Sequence, residues 1–225
     1  MVAPPAGVGF DAARRAARTS LLTARAALHV PSKNSASASR ALASYGAPLR
    51  RAFGAGTSLA GVSEDAAIVA AAVATSELSA RGHADADDVI VIEAIAIGRE
   101  IARQLARTIT FDAPWDAAAV VAGIGAAAAA AHAAALDEDA TRHALGLAAT
   151  QAAGLGAIKG TPAAAFACGK AAADAVEAAL LAHNGFTAAS SSLEGRRGLA
   201  ALMASHFDEA ALCEDLGRRW FSADG

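Results

Sequence analysis

Residues 154–186 are the most clearly punctuated stretch of the chain and read GLGAIKGTPAAAFACGKAAADAVEAALLAHNGF. Thr161 and Pro162 are typical of a helix N-cap and of the first helical position. Gly185 suits the left-handed residue that ends many helices. Between these limits, apolar and small residues recur at helical spacing and predict an inward face. Its members are Phe166, Gly169, Ala173, Val176, Leu180 and Leu181. The stretch therefore predicts one long, partly buried helix.

The composition of the chain favours an all-α fold. The chain has 225 residues, of which 55% are hydrophobic and only 4% aromatic. Alanine therefore supplies much of the apolar surface, and helices can pack closely across small side chains. No alternating strand pattern of useful length is found. We predict a single helical domain of about eight helices over residues 10–220, a flexible N-terminus over residues 1–9 and a tail over residues 221–225.

Charge and cysteine content argue against several classes of protein. The formal net charge of −3 gives no field that would attract a phosphate backbone or anionic lipid, so we expect neither nucleic acid nor a membrane as a partner. Cys168 and Cys213 lack the paired spacing of a zinc site or a disulfide framework. Residues 1–9 do not have the pattern of a signal peptide. We therefore expect a reducing, cytoplasmic location.

The alanine-rich stretch from Ala117 to Leu136 has two interpretations. It is long enough to cross a bilayer, and His132 is its only strongly polar side chain. Alanine is only weakly apolar, however, and acidic residues rather than a basic rim flank the stretch. We therefore predict a helix that is buried in the protein.

Further patterns predict turns and caps. The glycine cluster at positions 54–61 indicates a loop. Asp137 is the predicted N-cap of the helix that begins at Glu138. Ser205 and Asp208 have the spacing of a capping box before the last helix. These signals divide the chain into the predicted helices.

Two sequence patterns, one glycine-rich and one acidic, have both a functional and a structural interpretation. Gly154–Gly160 superficially resembles a dinucleotide-binding loop, but no strand precedes it, so a helix–helix turn is favoured. His83 with Asp85, Asp87 and Asp88 could ligate a metal, or the aspartates could begin a helix, where acidic side chains stabilise the macrodipole. Their spacing matches no specific metal motif. We predict neither a metal nor a cofactor.

The C-terminal half carries a series of short motifs in a characteristic order. They are HALGLA at 143–148, QAAGL at 151–155, GT at 160–161, GKAA at 169–172, ALLA at 179–182, GFT at 185–187 and LEGRRG at 193–198. In order and in spacing this half resembles the MmgE/PrpD family, which includes 2-methylcitrate dehydratase, cis-aconitate decarboxylase and iminodisuccinate epimerase. The resemblance implies a large all-helical domain, a smaller α+β lid domain, a homodimer, and action on polycarboxylates without an organic cofactor.

Some positions depart from the family pattern. The resemblance places a substrate-facing lysine and histidine where this chain has Ala164 and Ala167, and another active-site histidine where it has Asp116. The motif that leads into the family's lid domain resembles LGRRW at 216–220, and the sequence ends at residue 225. We therefore expect that the inherited acid/base pair and the lid are absent, and that an apolar cleft remains.

Candidate site residues follow from this cleft. Asp116 is the predicted acid, base or orienting acceptor, and Lys159 is the predicted cationic hydrogen-bond donor. The alternative, purely structural interpretations are that Asp116 caps its helix and that Lys159 is solvated. Lone residues such as Cys168 and His143 are more often core residues than catalysts. The predicted substrate-binding residues are Trp115, Phe166, Ala164, Ala167 and His132.

The predicted function is that of a repurposed, cofactor-independent cyclase or isomerase, or a mild lyase. Its substrate would be a relatively apolar small molecule such as a polyketide-type intermediate. The reaction would be accelerated because the pocket binds the substrate in a reactive conformation. One alternative keeps the family chemistry, a dehydratase or decarboxylase of a small carboxylic acid, with His83, His132 or Lys159 as replacement catalysts. Another is a non-catalytic binding or assembly subunit.

Overall fold

The computed structural model describes nine α-helices and one two-stranded sheet within residues 7–28, 46–61, 65–79, 84–214 and 216–220. The predicted all-α class is confirmed. The domain limits stay a prediction, because residues 1–6 and 221–225 lie outside the described parts. The helices are α1 Phe10–Leu28, α2 Ala47–Leu59, α3 Ala66–Ser79, α4 Ala84–Thr108, α5 Ala117–Ala133, α6 Glu138–Gln151, α7 Pro162–His183, α8 Leu199–Met203 and α9 Glu209–Glu214.

Helix α5 lies at the centre of the fold. Eleven of its residues are buried, and it packs against α3, α4, α6 and α7. Alanine and glycine make this possible, because short side chains let several helices approach one helix from different sides. The buried-helix interpretation is confirmed. Among the described residues, no helix combines the length and the hydropathy needed to cross a membrane.

Helices α2 and α7 cross at two glycines. A β-carbon on Gly56 would lie 3.0 Å from the carbonyl oxygen of Cys168, and one on Gly169 would lie 2.6 Å from the carbonyl oxygen of Phe53. The loop predicted at positions 54–61 is therefore wrong over most of its length, because α2 continues to Leu59. Glycine weakens an isolated helix, but here the close contact between two helices overrides that propensity.

The limits of α7 are as predicted, and so is the left-handed Gly185 at its end, but the N-terminus is stabilised differently from the prediction. Thr161 makes no side-chain cap, and its hydroxyl donates instead to the carbonyl of Ile158 at 2.7 Å. At the other end Gly185 has a φ of +83°. The amide of Gly185 donates to Ala182 and that of Phe186 to Leu181, each at 2.9 Å, which is the Schellman pattern.

One member of the predicted inward face of α7 points outward. Phe166 is 53% exposed, and its ring meets the buried ring of Phe53 edge-on with centroids 5.6 Å apart. Gly169, Ala173 and Val176 are buried as predicted, whereas Leu180 and Leu181 are only half-buried. The first turn of α7 therefore borders open space rather than the core.

A short sheet was not evident from the sequence. Strand β1, Ile109–Phe111, pairs antiparallel with β2, Ala204–Phe207. Strands this short cannot show a reliable alternation of apolar and polar residues. Ser205 lies in β2, where its hydroxyl donates to the carbonyl of Thr110 at 3.2 Å, so its predicted capping role is wrong. Asp208 does cap α9, since its Oδ1 accepts from the amide of Ala211 at 3.0 Å.

Two further contacts fix the outer helices. Asp137 caps α6 as predicted, with its Oδ1 accepting from the amide of Ala140 at 2.8 Å. The start of α1 is tied to the end of the described chain, because the amide of Trp220 donates to Val8 at 2.8 Å. The rings of Phe10 and Trp220 are 4.8 Å apart between centroids. These contacts fix the start of α6 and hold the start of α1 against the C-terminal end of the described chain.

The crossing of α2 and α7 gives a test of the fold. Gly169→Ala would place a β-carbon against Thr57 Oγ1 and 2.6 Å from the Phe53 carbonyl oxygen, so the helices must separate. We expect the free energy of unfolding to fall by about 1–3 kcal/mol in urea titrations. Gly46→Ala is the control, because only Pro48 Cδ, at 3.8 Å, lies near its new methyl group. An unchanged urea midpoint for Gly169→Ala would contradict the described crossing.

Candidate functional site

A groove of about 480 Å³ lies between α5, α6, the 3-10 turn Gly156–Ile158 and α7. Most of its surface is apolar. Its volume lies within the range of small-molecule sites in proteins. The residues that α5 and the loop contribute are Ala119, Val120, Gly123, Ala152, Ala153, Gly154, Leu155 and Ile158. The groove is thus bordered by the helix at the centre of the fold and by the stretch that begins at Gly154.

One face of α7 forms a wall of the groove. The residues on this face are three or four positions apart, which brings them into line on successive helical turns. They are Ala163, Phe166, Ala167, Lys170, Ala171, Asp174 and Ala175. Because most of them are alanine, the side chains of this wall are short and mainly apolar. The charged residues Lys170 and Asp174 interrupt it.

Lys170 and Asp174 form an ion pair on adjacent turns of α7. The Lys170 ammonium donates a hydrogen bond to Asp174 Oδ1. Asp174 is only 9% exposed, whereas the Lys170 side chain is 38% exposed. Burial raises the pKa of the Asp174 carboxyl, Lys170 opposes that rise, and Glu177 adds to it. A buried carboxyl whose pKa is raised is better suited to proton transfer near neutral pH than an ordinary aspartate.

Asp116 and Lys159 form a second pair beside the groove. Lys159 Nζ is 3.3 Å from Asp116 Oδ1, with the lysine side chain 65% exposed and the aspartate side chain 13% exposed. The contact is an ion pair without hydrogen-bond geometry, since this buried oxygen has no hydrogen-bond partner among the described residues. The amide of Asp116 donates to the carbonyl of Gly154 at 2.9 Å. The pair is thus anchored to the loop that borders the groove, but it is not part of the lining.

The structure brings some of the predicted substrate-binding residues to the groove and separates others. Phe166 and Ala167 belong to the lining. Ala164 is half-buried on the neighbouring face of α7. Trp115 is also half-buried, and its backbone pairs with that of Leu155 at the rim. The predicted residues of this segment therefore surround the groove, although only part of the set lines it.

His132 lies elsewhere. It is nine residues beyond Gly123 on α5, which corresponds to about 13 Å along a helix. Its Nε2 is 3.7 Å from a carboxylate oxygen of Glu93 on α4. Burial lowers the pKa of His132, and Glu93 opposes that shift. The structure therefore connects His132 to α4 and not to the groove.

Other candidate side chains have structural partners. His143 accepts a hydrogen bond at Nδ1 from the amide of Ala188, 3.2 Å away. Burial raises the pKa of the Cys168 thiol to about 11, so the reactive thiolate is scarce at neutral pH. Within the described residues, no three histidine, cysteine or acidic side chains are grouped to hold a metal ion. His83, Asp85 and Asp87 lie outside the described side chains, and Asp88 pairs with Arg25.

The sequence interpretation overlooked Lys170 and Asp174 as site residues. The motif GKAA at 169–172 contributed only to a family resemblance. The available signal was two opposite charges four positions apart on a helix whose neighbouring positions are nearly all alanine. Such charges become candidates for a site only when the structure shows a cavity on that side of the helix.

The raised pKa of Asp174 predicts a pH dependence of stability. The folded chain binds this proton more tightly than the unfolded chain, so stability falls as pH rises from the ordinary value of 3.8 through the raised value. Asp174→Asn removes the titration. We expect the Tm of the variant relative to the native protein to rise across this window and to be constant above it. Asp139→Asn controls for loss of one exposed carboxylate, and a pH-independent difference for Asp174→Asn would contradict the interpretation.

Comparison with known proteins identifies the helical scaffold. Comparison with curated proteins gives no match. The family profile described as the MmgE/PrpD N-terminal domain matches residues 57–211, more than half of the chain. The matched range includes the central helix α5, the groove and all of α7. The chain therefore belongs to the MmgE/PrpD family.

Proposed function

We propose that the protein is a cofactor-independent isomerase or cyclase that acts on a largely apolar small molecule in the groove between α5 and α7. The observation that carries the proposal is the Lys170–Asp174 pair, with its buried carboxylate, in the wall of an otherwise mainly apolar cavity. An apolar cavity with a few convergent polar groups and a perturbed pKa is the usual form of a small-molecule site. The proposal narrows the family assignment to one class of chemistry.

Proton transfer is the reaction that this pair supports. The Asp174 carboxylate removes a proton from a carbon next to a carbonyl group of the substrate, and the Lys170 ammonium hydrogen-bonds the enolate oxygen that forms. When the substrate is a β,γ-unsaturated carbonyl compound, isomerisation follows when Asp174 returns the proton to the γ-carbon of the conjugated enolate, which moves the double bond. Cyclisation follows when the enolate carbon bonds to a second carbonyl carbon of the same molecule and the new alkoxide takes up the proton. Both routes balance without an oxidant, a reductant or a cofactor.

The charge of the groove argues against a polycarboxylate substrate. Binding several carboxylates requires several cationic donors that are free to form paired hydrogen bonds. Lys170 is the one cation in the described lining, and Asp174 already neutralises it. The alanines at positions 164 and 167 add none. An apolar molecule that presents one carbonyl oxygen to Lys170 matches this balance better than a tricarboxylic acid.

The predicted catalysts Asp116 and Lys159 have an orienting role in this proposal. They lie beside the loop residues Gly154 and Ile158, which border the groove. Lys159 is mostly exposed, so its ammonium is available to a polar end of the substrate that extends out of the groove. Asp116 holds that ammonium near the rim. Proton transfer is assigned to Asp174 because only this carboxylate belongs to the described lining.

Exchange of carbon-bound hydrogen tests the proposal without knowledge of the natural substrate. We expect the native protein to accelerate deuterium uptake at the carbon next to the carbonyl of 1-tetralone in D₂O, measured by proton NMR. Asp174→Asn should lower the exchange rate by about 100-fold or more, because the general base is lost. Lys170→Met should also lower it, since it removes the charge that stabilises the enolate.

Asp116→Asn and Lys159→Met are the matched controls for this experiment. They remove the same functional groups from the rim pair, and we expect them to retain most of the exchange rate, because 1-tetralone has no second polar end for the rim pair to orient. If these variants lose exchange while Asp174→Asn retains it, catalysis belongs to the rim pair. If the folded native protein gives no exchange above buffer, the proton-transfer proposal is wrong. Circular dichroism and Tm establish that each variant is folded.

A further inference from the structure

Gly123 is a glycine inside the central helix α5 that packing does not require. A glycine within a helix lowers its stability relative to alanine, so its presence in a central helix needs a reason. Five other α-helical glycines have an evident one. A β-carbon on each of these five would lie 3.0 Å or less from an atom of another part of the chain. These positions are Gly56, Gly98, Gly125, Gly146 and Gly169.

The surroundings of Gly123 differ from those of its neighbour Gly125. A β-carbon on Gly125 would lie 2.5 Å from the carbonyl oxygen of Gly98 on α4, which excludes any side chain. A β-carbon on Gly123 would meet only the β-carbon of Ala171 on α7, at 3.9 Å, which is ordinary van der Waals contact. Gly123 is helical, so its backbone does not need glycine either. Alanine would fit at position 123.

Gly123 and Ala171 both belong to the groove lining, from opposite sides. The missing β-carbon therefore leaves a methyl-sized recess where α5 faces α7. Ala171 directly follows Lys170, so the recess and the Lys170–Asp174 pair belong to the same part of the groove. Alanines on both sides of the recess, such as Ala119 and Ala175, have short side chains that extend little into the groove.

We infer that Gly123 determines substrate specificity by admitting a flat, apolar ring against the backbone of α5, with one oxygen of the ligand directed to Lys170. The inference rests on the proposed function and deepens it, because it names the shape and the chemical class of the ligand. A flat ring matches a floor that carries only a methyl group at Ala119 and no side chain at Gly123. A single carbonyl or anionic oxygen matches the one ammonium group in the described lining. Glycine at position 123 lowers the stability of α5, and a helix with only a structural role would favour alanine at this position.

Two measurements on the same variants test this assignment. The probe is 1-anilinonaphthalene-8-sulfonate, which combines flat aromatic rings with one anionic group, and its fluorescence reports saturable binding. We expect Gly123→Ala to raise the Tm, because alanine stabilises the helix, and to weaken probe binding by about tenfold, as one added methyl group does in a snug apolar site. Gly123→Leu should abolish saturable binding.

Two controls separate filling of the recess from general effects. Ala118→Leu adds an apolar side chain to an exposed position of α5 outside the described lining, and it should leave probe affinity unchanged. Gly125→Ala makes the same chemical change as Gly123→Ala two residues away, but it should lower the Tm because its methyl group meets the backbone of α4. The opposite signs of the two Tm shifts distinguish a ligand recess from a packing glycine.

The outcomes distinguish this inference from the proposed function. A lowered Tm for Gly123→Ala, or unchanged probe affinity, would overturn the role of Gly123 while the enzyme proposal stands on the exchange experiment. Absence of saturable binding to the native protein would contradict the apolar groove as a ligand site and overturn both. A raised Tm together with weakened binding supports the recess as part of the substrate site.

Discussion

Close approach between helix backbones is the constraint on which this structure depends. At the α4–α5 crossing, a β-carbon on Gly98 would lie 2.6 Å from the Gly125 carbonyl oxygen, and the reverse distance is 2.5 Å. At the α2–α7 crossing, a β-carbon on Gly56 would lie 3.0 Å from the Cys168 carbonyl oxygen, and one on Gly169 would lie 2.6 Å from the Phe53 carbonyl oxygen. Because interiors are close-packed, contacts of this kind leave helices little freedom to slide or rotate. They set the positions of α5 and α7, and therefore the position of the groove between them.

The same use of small residues has a different effect on the groove side of these helices. Where α5 and α7 face each other across Gly123 and Ala171, short side chains leave space instead of contact. The wall is apolar, so the single carboxylate within it is poorly hydrated and the pKa of Asp174 is raised. Lys170 limits this rise. The packing that defines the groove thus also sets the acidity of its carboxyl group, which connects core architecture with chemistry.

Local signals of the sequence predicted much of the helical framework. Pro162 and Gly185 marked the limits of α7, Asp137 marked the start of α6, and the alanine-rich stretch of α5 was correctly interpreted as buried. These features are decided within a few residues of the chain. Predictions were wrong where a distant contact competed with local propensity. The sequence predicts a loop at Gly56, which lies at a helix crossing, and a cap at Ser205, which belongs to β2.

The site shows the same division. The motifs of the C-terminal half and the residues around Phe166 indicated the correct region, because they lie on one continuous segment. They did not indicate which face of α7 borders the groove, that His132 points to Glu93, or that Lys170 and Asp174 are the charged residues of the lining. By itself the sequence determined the long helices, the helix ends at Asp137 and Gly185, and the family, since these depend on residues near one another. Only the tertiary structure decided which glycines pack closely against another helix and which leave a recess in the groove, because that depends on the distance to an atom on another helix.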